Sequence, residues 1–170
     1  MTLAALIAGA TETVAFGQLT VDVPADAWVA GATAARDGAG LDCFDWLSAV
    51  DELAGFDVVL SVYSIERRQR ARLRTRIGRE APRLGSLVPV FAGAAWHERE
   101  THEMFGIDFD GHPDPAPLLL PDGFEGHPLR KDFVLAARVA KQWPGEKEPG
   151  GASARRRVRP PGVPEGWEQA

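Results

Sequence analysis

The sequence predicts an α+β fold: a small, mostly antiparallel sheet with helices packed on one face, followed by an extended proline-rich segment and a C-terminal tail. The first observation is the period-two alternation of residues 70–77, typical of a strand with one buried face. The second is the helical pattern of residues 24–37, which begins at a proline and ends before a glycine. The third is a set of prolines that excludes both helix and central strand, at positions 113, 115, 117, 121 and 128.

Length, charge and cysteine content limit the classes of protein that this chain can be. A length of 170 residues fits about one domain. The net charge of −5 is uneven, because residues from 136 onward hold seven Lys/Arg against four Asp/Glu, so the tail is basic and the body acidic. The single Cys43 excludes an internal disulfide and a four-Cys cluster, which fits a reducing cytoplasmic setting. No apolar run approaches the roughly 20 residues of a membrane span, and no basic region precedes an N-terminal apolar stretch as in a signal peptide.

The first third of the chain predicts a hairpin between two helical segments. Residues 3–10 fit a short helix, and residues 13–16 and 19–23 fit a hairpin around Gly17. The helix over residues 24–37 follows. The residues on its predicted buried side are Trp28, Ala32 and Ala35.

The middle of the chain predicts two adjacent strands. Residues 41–50 fit a strand or a short helix. We favour the strand because residues 56–65 form a clear strand, and a turn at Gly55 makes the two neighbours.

The next strand, residues 70–77, presents a row of arginines on one face. These are Arg70, Arg72, Arg74 and Arg76. We favour a solvated outer face, and the alternative is a surface that meets an acidic partner. Nucleic acid is not expected as a partner, because the arginines lie in an acidic body without an aromatic stacking platform.

The charged helix that follows residues 84–91 does not have the spacing of a zinc site. The pair His97-Glu98 opens the zinc-protease pattern, which requires a second histidine four residues after the first. His102 lies five residues on, about 140° around the helix, so the two imidazoles diverge. A second pattern, Phe-acid-Gly-His-Pro, occurs at residues 109–113 and 124–128, and we interpret it as one turn used twice with hydrogen-bonding or surface histidines.

The same helix carries three charges on one face. Arg99, Glu100 and Glu103 fall within about 100° of one another, and Arg99 and Glu103 have the i, i+4 spacing of an ion pair. Because the rest of the helix is apolar over most of its circumference, we predict partly buried, paired charges. The alternative is a surface ion pair worth under about 1 kcal/mol. No phosphate loop, dinucleotide fingerprint or Ser-His-Asp pattern is present, so the residues favour a docking protein over an enzyme with its own site.

The extended segment is too apolar for a free linker, and it is expected to lie against its own domain or against a partner. Beyond Phe133 the pattern is lost among Pro-Gly breaks. We therefore divide the chain into an α+β domain over residues 1–108, an extended segment over residues 109–140, and a flexible or partner-bound tail over residues 141–170.

Short motifs in the helix and the segment follow one another in a specific order. They are Glu98-Arg99-Glu100, Met104-Phe105-Gly106-Ile107, Gly111-His112-Pro113-Asp114, Leu119-Leu120-Pro121-Asp122 and Gly126-His127-Pro128-Leu129-Arg130-Lys131-Asp132-Phe133. This string resembles the signature of the 30 kDa-type subunit of NADH-quinone oxidoreductase (respiratory complex I).

The resemblance implies a subunit of the peripheral arm of a proton-translocating complex, on the cytoplasmic side of the cell membrane. It implies docking on the hydrogenase-large-subunit-like subunit and its iron–sulfur neighbour, with residues 109–140 as a partner-docking segment. FMN, iron–sulfur clusters, NADH and quinone would be bound by other subunits, and this chain would hold no cofactor, metal or catalytic residue. The implied interface residues are Trp96, Glu98, Arg99, Glu100, Glu103, Phe105, Asp122, Pro128, Arg130, Lys131 and Asp132.

The sequence departs from the family pattern at two places. Glu103 stands where the family usually has Asp, and Ala116 and Pro117 stand where an arginine pair is usual. Related subunits occur in membrane-bound hydrogenases and formate hydrogenlyases, which is the alternative for the electron donor. The alternative of a different class is a stand-alone metal-dependent hydrolase that uses His97, Glu98 and His102.

Overall fold

The computed structural model describes residues 2–134, so the predicted tail over residues 141–170 and the end of the docking segment lie outside the described residues. Within residues 2–134, five strands form one sheet, and they are β1 (Thr11–Ala15), β2 (Gln18–Asp22), β3 (Cys43–Asp51), β4 (Gly55–Ser64) and β5 (Gln69–Gly78). Their order across the sheet is β1-β2-β5-β4-β3. Neighbouring strands are antiparallel except β2 and β5, which run parallel. The predicted α+β fold with a mostly antiparallel sheet is confirmed.

Short helical elements pack on the apolar face of this sheet. A 3-10 turn (Ala4–Leu6) precedes β1, and a second (Ala25–Ala27) leads into α1 (Trp28–Thr33), which continues as a π-helical turn (Ala34–Gly38). The predicted helix over residues 24–37 is therefore confirmed, and its three predicted core residues are completely buried. Leu47, Phe56, Leu60 and Leu73 are also completely buried in this core.

Residues 41–50 form a strand, as favoured from the sequence. β3 pairs with β4 from Cys43 opposite Tyr63 to Asp51 opposite Phe56, with a bulge between Phe44 and Trp46. The turn prediction at Gly55 needs a correction, because Gly55 is the first residue of β4 and the connection consists of residues 52–54.

Two arginines of the row on β5 make bidentate pairs with acids of their own sheet. Arg74 makes two hydrogen bonds to Asp22 on β2 at 2.6 and 3.0 Å, and Arg76 makes two to Asp57 on β4 at 2.5 and 2.8 Å. Both are cross-strand neighbours in the register. The row lies at the surface, but neither interpretation from the sequence included this internal pairing.

The long helix α2 (Ala94–Phe105) covers the edge of the sheet formed by β3. His97 Nδ1 lies 3.1 Å from the Leu47 carbonyl oxygen, and the Phe105 ring packs edge-on against Phe56 at 6.1 Å. Strands β6 (Arg83–Gly85) and β7 (Asp108–Asp110) form a separate parallel pair, and β7 crosses the domain boundary predicted after residue 108. None of the helices between residues 2 and 134 has the length and apolar composition needed to cross a bilayer.

Candidate docking surface

The segment over residues 111–134 folds back on α2 and completes the end of that helix. Gly106 ends α2 in the left-handed conformation, with φ of +71°, and donates its N–H to the His102 carbonyl at 2.7 Å. A Cβ at position 106 would lie 2.5 Å from both Arg130 Nη2 and His127 Nε2, so only glycine permits this close approach.

Carbonyl groups in the last turn of α2 lack intrahelical partners, and the segment supplies donors for them. The Glu103 carbonyl oxygen lies 2.8 Å from His127 Nδ1, the Met104 carbonyl accepts from Leu129 N–H at 3.1 Å, and the Phe105 carbonyl accepts from Arg130 Nε at 2.5 Å. The motif Gly-His-Pro-Leu-Arg at residues 126–130 therefore caps the C-terminal end of α2, although it is not adjacent to the helix in sequence.

Both histidine turns contact a carbonyl of α2, through Nε2 of His112 at the start of the helix and Nδ1 of His127 at its end. Gly111 and Gly126 have φ of +85° and +96°, and the histidine after each one reaches a carbonyl of α2. His112 Nε2 lies 3.0 Å from the Ala95 carbonyl oxygen while its Nδ1 accepts from Asp114 N–H. The prediction of hydrogen-bonding histidines is confirmed, but the two turns are not identical, because the backbone hydrogen bond from His112 N–H to the Phe109 carbonyl has no counterpart between His127 and Phe124.

Glu103 binds the backbone of the segment. Its carboxylate accepts N–H groups from Leu118 and Leu119 at 2.8 Å each and from Leu120 at 3.2 Å, and the residue is only 7% exposed. A carboxylate held by several backbone donors is well satisfied without a cation. The sequence left open whether the segment lies against its own domain or against a partner. At residues 118–120 it lies against its own domain.

Arg99 holds the residues that precede this contact. Its Nε and Nη2 donate to the carbonyl oxygens of Ala116 and Pro117 at 2.6 Å each, and its guanidinium lies 5.7 Å from the centre of the exposed Trp96 ring. The predicted i, i+4 ion pair with Glu103 is therefore wrong, since both side chains bind the backbone of the segment. Two departures from the family pattern, at positions 116 and 117, supply the carbonyls that Arg99 binds.

Glu98 anchors the other side of α2 inside the domain. It is completely buried, and its carboxylate accepts from Ser86 Oγ at 2.7 Å and from Leu87 N–H at 2.6 Å. Burial raises the pKa of Glu98, while these two hydrogen bonds oppose that shift. Glu98 and the buried Phe105 were predicted as interface residues, and the structure corrects this by placing both side chains in the interior.

Asp51 ties the end of the segment to the sheet. This buried carboxylate accepts from Arg79 Nη1 at 2.7 Å and from Lys131 N–H at 2.9 Å. The hydrogen bond from Arg79 lowers the pKa of Asp51 to about 2, and backbone donors add to this effect against the opposing effect of burial. Arg79 also pairs with Asp132 at 2.9 Å. Neither Asp51 nor Arg79 was predicted as a site residue.

The remaining predicted interface residues lie at or near the surface. Glu100, Asp122, Lys131 and Asp132 are exposed, and Pro128 is half-buried. Large apolar side chains are exposed in the same part of the chain, namely Trp96, Leu119, Leu129 and Val134. We call α2 and residues 111–134 the strap surface.

The residues considered for a metal site do not converge. Glu98 is occupied inside the domain, and His97 and His102 contact the backbone at Leu47 and Ile107, respectively. Across residues 2–134, no three His, Cys, Asp or Glu side chains are grouped so as to hold a metal ion. The geometry therefore does not support the hydrolase alternative.

Comparison with known proteins identifies relatives over most of the chain. A family model described as "Respiratory-chain NADH dehydrogenase, 30 Kd subunit" matches residues 21–139. A protein of Bordetella avium, by name a subunit of NADH-quinone oxidoreductase, is 38% identical over 156 residues, which cover 80% of this chain and 76% of the relative. A protein of the same name from Caulobacter vibrioides is 40% identical over 140 residues, covering 79% and 71%.

Solved structures share the fold. The trypsin-resistant fragment of Nqo5 superposes with a TM-score of 0.56 at 26% identity, over 62% of this chain and 89% of that one. A chain of a membrane-bound sulfane sulfur reductase, an archaeal respiratory membrane complex, superposes with a TM-score of 0.57 at 23% identity, over 78% and 82%, and at that identity it shows the fold alone. The chain belongs to the family of the 30 kDa subunit of respiratory-chain NADH dehydrogenase.

Proposed function

We propose that this chain is a subunit without a redox centre in the peripheral arm of a proton-translocating NADH-quinone oxidoreductase. In this proposal it lies on the cytoplasmic side of the cell membrane and supports electron transfer from NADH to quinone by holding other subunits in place. Family membership supports the assignment to such a complex.

The strap surface is the proposed docking site for the hydrogenase-large-subunit-like subunit and its iron–sulfur neighbour. The observation that carries this proposal is the fixing of residues 111–134 on α2 by Arg99, Glu103 and the helix cap. An ordered segment binds with less loss of conformational entropy than a free one. The exposed apolar residues of this surface, such as Trp96 and Leu119, supply the area that a stable interface buries.

Catalysis and cofactor binding are assigned to the other subunits. Cys43 is the single cysteine of the chain, so it does not provide the ligands of an iron–sulfur cluster. FMN and the clusters would carry the electrons, while this chain orients the subunits that bind them.

Purification of the tagged chain from membranes of its host tests the assignment. We expect the large-subunit homologue and iron–sulfur subunits to co-purify, with FMN and quinone-dependent NADH oxidation in the same fraction. Purification of the chain alone, or with an unrelated set of proteins, would contradict the proposal. Co-purification with hydrogen- or formate-oxidising activity, and none with NADH, would favour the hydrogenase or formate hydrogenlyase alternative.

A surface substitution tests the docking site. Leu119→Glu places a charge on an exposed position of the strap surface, so we expect strong loss of co-purifying subunits without unfolding of the chain. Val50→Glu is the matched control, because Val50 is also an exposed apolar residue but lies on β3. Equal assembly of both variants would remove the strap surface from the proposed interface.

A further inference from the structure

The hairpin between β1 and β2 carries a large apolar side chain at its tip. Phe16 and Gly17 connect the strands with φ of +51° and +73°, and two positive values are what a type I′ turn requires. Asn-Gly suits such a turn, whereas a phenylalanine in this conformation is strained. The Phe16 side chain is fully exposed, so it adds no burial to this chain. Because neither packing nor turn preference explains a phenylalanine at this position, we consider a contact with a partner.

A groove of about 530 Å³ opens beside this tip. Val14, Leu19 and Ala71 lie in one row across β1, β2 and β5, because Val14 pairs with Leu19 and Leu19 pairs with Ala71. Leu3 and Leu41 also line the groove. The row is not fully covered, since Val14 is 69% exposed. The groove thus has apolar residues in its lining and a volume large enough for a bulky side chain.

Arginines also line the groove. Arg67, Arg68 and Arg70 contribute to it, within a body whose net charge is negative. Arg67 is held in place by donation to the Ala39 carbonyl at 2.5 Å, and Arg70 approaches Asp45 only to 3.5 Å. Electrostatic complementarity therefore favours an acidic ligand. β1 is also an outer strand of the sheet within residues 2–134, so its outer edge can pair with an extended chain.

We propose that the tip groove, lined by Val14, Leu19, Arg67 and Arg68 and adjacent to the hairpin tip that carries Phe16, is a second docking surface for an extended acidic segment of a neighbouring subunit. A bulky apolar side chain of that segment lies against Val14 and Leu19, and its carboxylates face the arginines. The inference deepens the proposed function and rests on it only in requiring that the chain is assembled with other subunits.

The chain's own C-terminal residues are a poor match for the tip groove. Residues 136–170 hold seven Lys/Arg against four Asp/Glu, so their charge has the same sign as the groove.

Site-specific crosslinking in the purified complete complex tests this inference. The photoreactive residue p-benzoylphenylalanine at position 16 is expected to crosslink to one neighbouring subunit, in a segment with acidic residues beside the crosslinked position. Arg68→Glu in the same chain should lower that yield by about fivefold or more, because it reverses a charge of the groove. The matched control places the photoreactive residue at Leu53, which is also exposed and has φ of +63° but lies at the opposite end of the sheet; it should not reach that segment.

Several outcomes would overturn the inference. These are absence of a crosslink from position 16 in an assembled complex, a crosslink to lipid, a crosslink to residues 135–170 of this chain, and a crosslink to a segment without acids. In each case the complex is still assembled, so the proposed function stands. Loss of both the crosslink and the co-purifying subunits would overturn the inference and the proposed function together.

Discussion

Glu98 is a buried residue whose ionisation affects the stability of the folded chain. Burial raises its pKa, so the folded chain binds this proton more tightly than the unfolded chain. The contribution of Glu98 to the free energy of unfolding is therefore greatest below its ordinary pKa of 4.5. It falls as the pH rises through the raised pKa of the folded chain. At neutral pH, the two hydrogen bonds from Ser86 and Leu87 offset the free-energy cost of burying the charged carboxylate, and they fix α2 to these residues.

Substitution of Glu98 separates the charge from the hydrogen bonds. Glu98→Gln keeps a side chain that can bond to both partners, so we expect a free energy of unfolding at pH 7 within about 1 kcal/mol of the natural chain. The free energy of unfolding of this variant should depend less on pH above pH 4.5 than that of the natural chain. Urea unfolding across this pH range measures both. Glu98→Ala is the comparison, with an expected loss of about 1–3 kcal/mol because it leaves the partners unpaired; equal destabilisation by Gln and Ala would contradict the interpretation.

At the scale of elements, α2 and the segment stabilise each other. α2 provides a carboxylate for backbone N–H groups of the segment, and the segment provides donors for the last carbonyls of α2. An extended proline-rich segment has few internal hydrogen bonds of its own, so side chains such as Glu103 determine whether it is ordered.

Hydrogen exchange measures that contribution. Glu103→Ala removes the acceptor for three backbone donors, worth about 1–3 kcal/mol for groups left unpaired, so we expect faster exchange at residues 118–120 by roughly 5- to 150-fold. Glu100→Ala is the matched control, because Glu100 is an exposed acid on the same helix, and exchange should be unchanged. Unaltered exchange in the Glu103 variant would show that other contacts hold the segment.

The elements were predictable from the sequence because their signals are local. Alternation identified β5, and the proline start and glycine stop identified the helix around α1. The partners of charged side chains were not predictable in the same way. Arg74 pairs with Asp22, which is distant in sequence and adjacent only through a parallel register.

The site was predictable in position but not in its contacts. The family motifs marked α2 and the segment, which the structure brings together. They did not show that Arg99 and Glu103 bind backbone groups, since a helical face alone indicates only which side chains are close to each other. The pairing of Asp51 with Lys131 spans 80 residues and has no local pattern.

At the scale of the whole molecule, Asp51 joins the middle of the chain to the last described residues. It lies at the end of β3 and binds both Arg79, just after β5, and the backbone of Lys131. One buried carboxylate therefore connects the sheet to the strap surface. Breaking such a buried pair from one side leaves a partner unsatisfied, which costs more than loss of an exposed pair.

The pKa of Asp51 predicts how this connection responds to acid. Because its folded pKa is about 2, below the ordinary value of 3.8, its stabilisation is present above about pH 4 and is lost as pH falls toward 2. We expect Asp51→Asn to lower the free energy of unfolding by about 2 kcal/mol at pH 7, and the difference from the natural chain should shrink below pH 4. Urea unfolding of the full chain between pH 7 and pH 2.5 measures this. Asp132→Asn is the matched control, because Asp132 pairs with the same arginine but is exposed, and its effect should be small. A difference between Asp51→Asn and the natural chain that stays constant down to pH 2.5 would show that the carboxylate charge does not stabilise this junction.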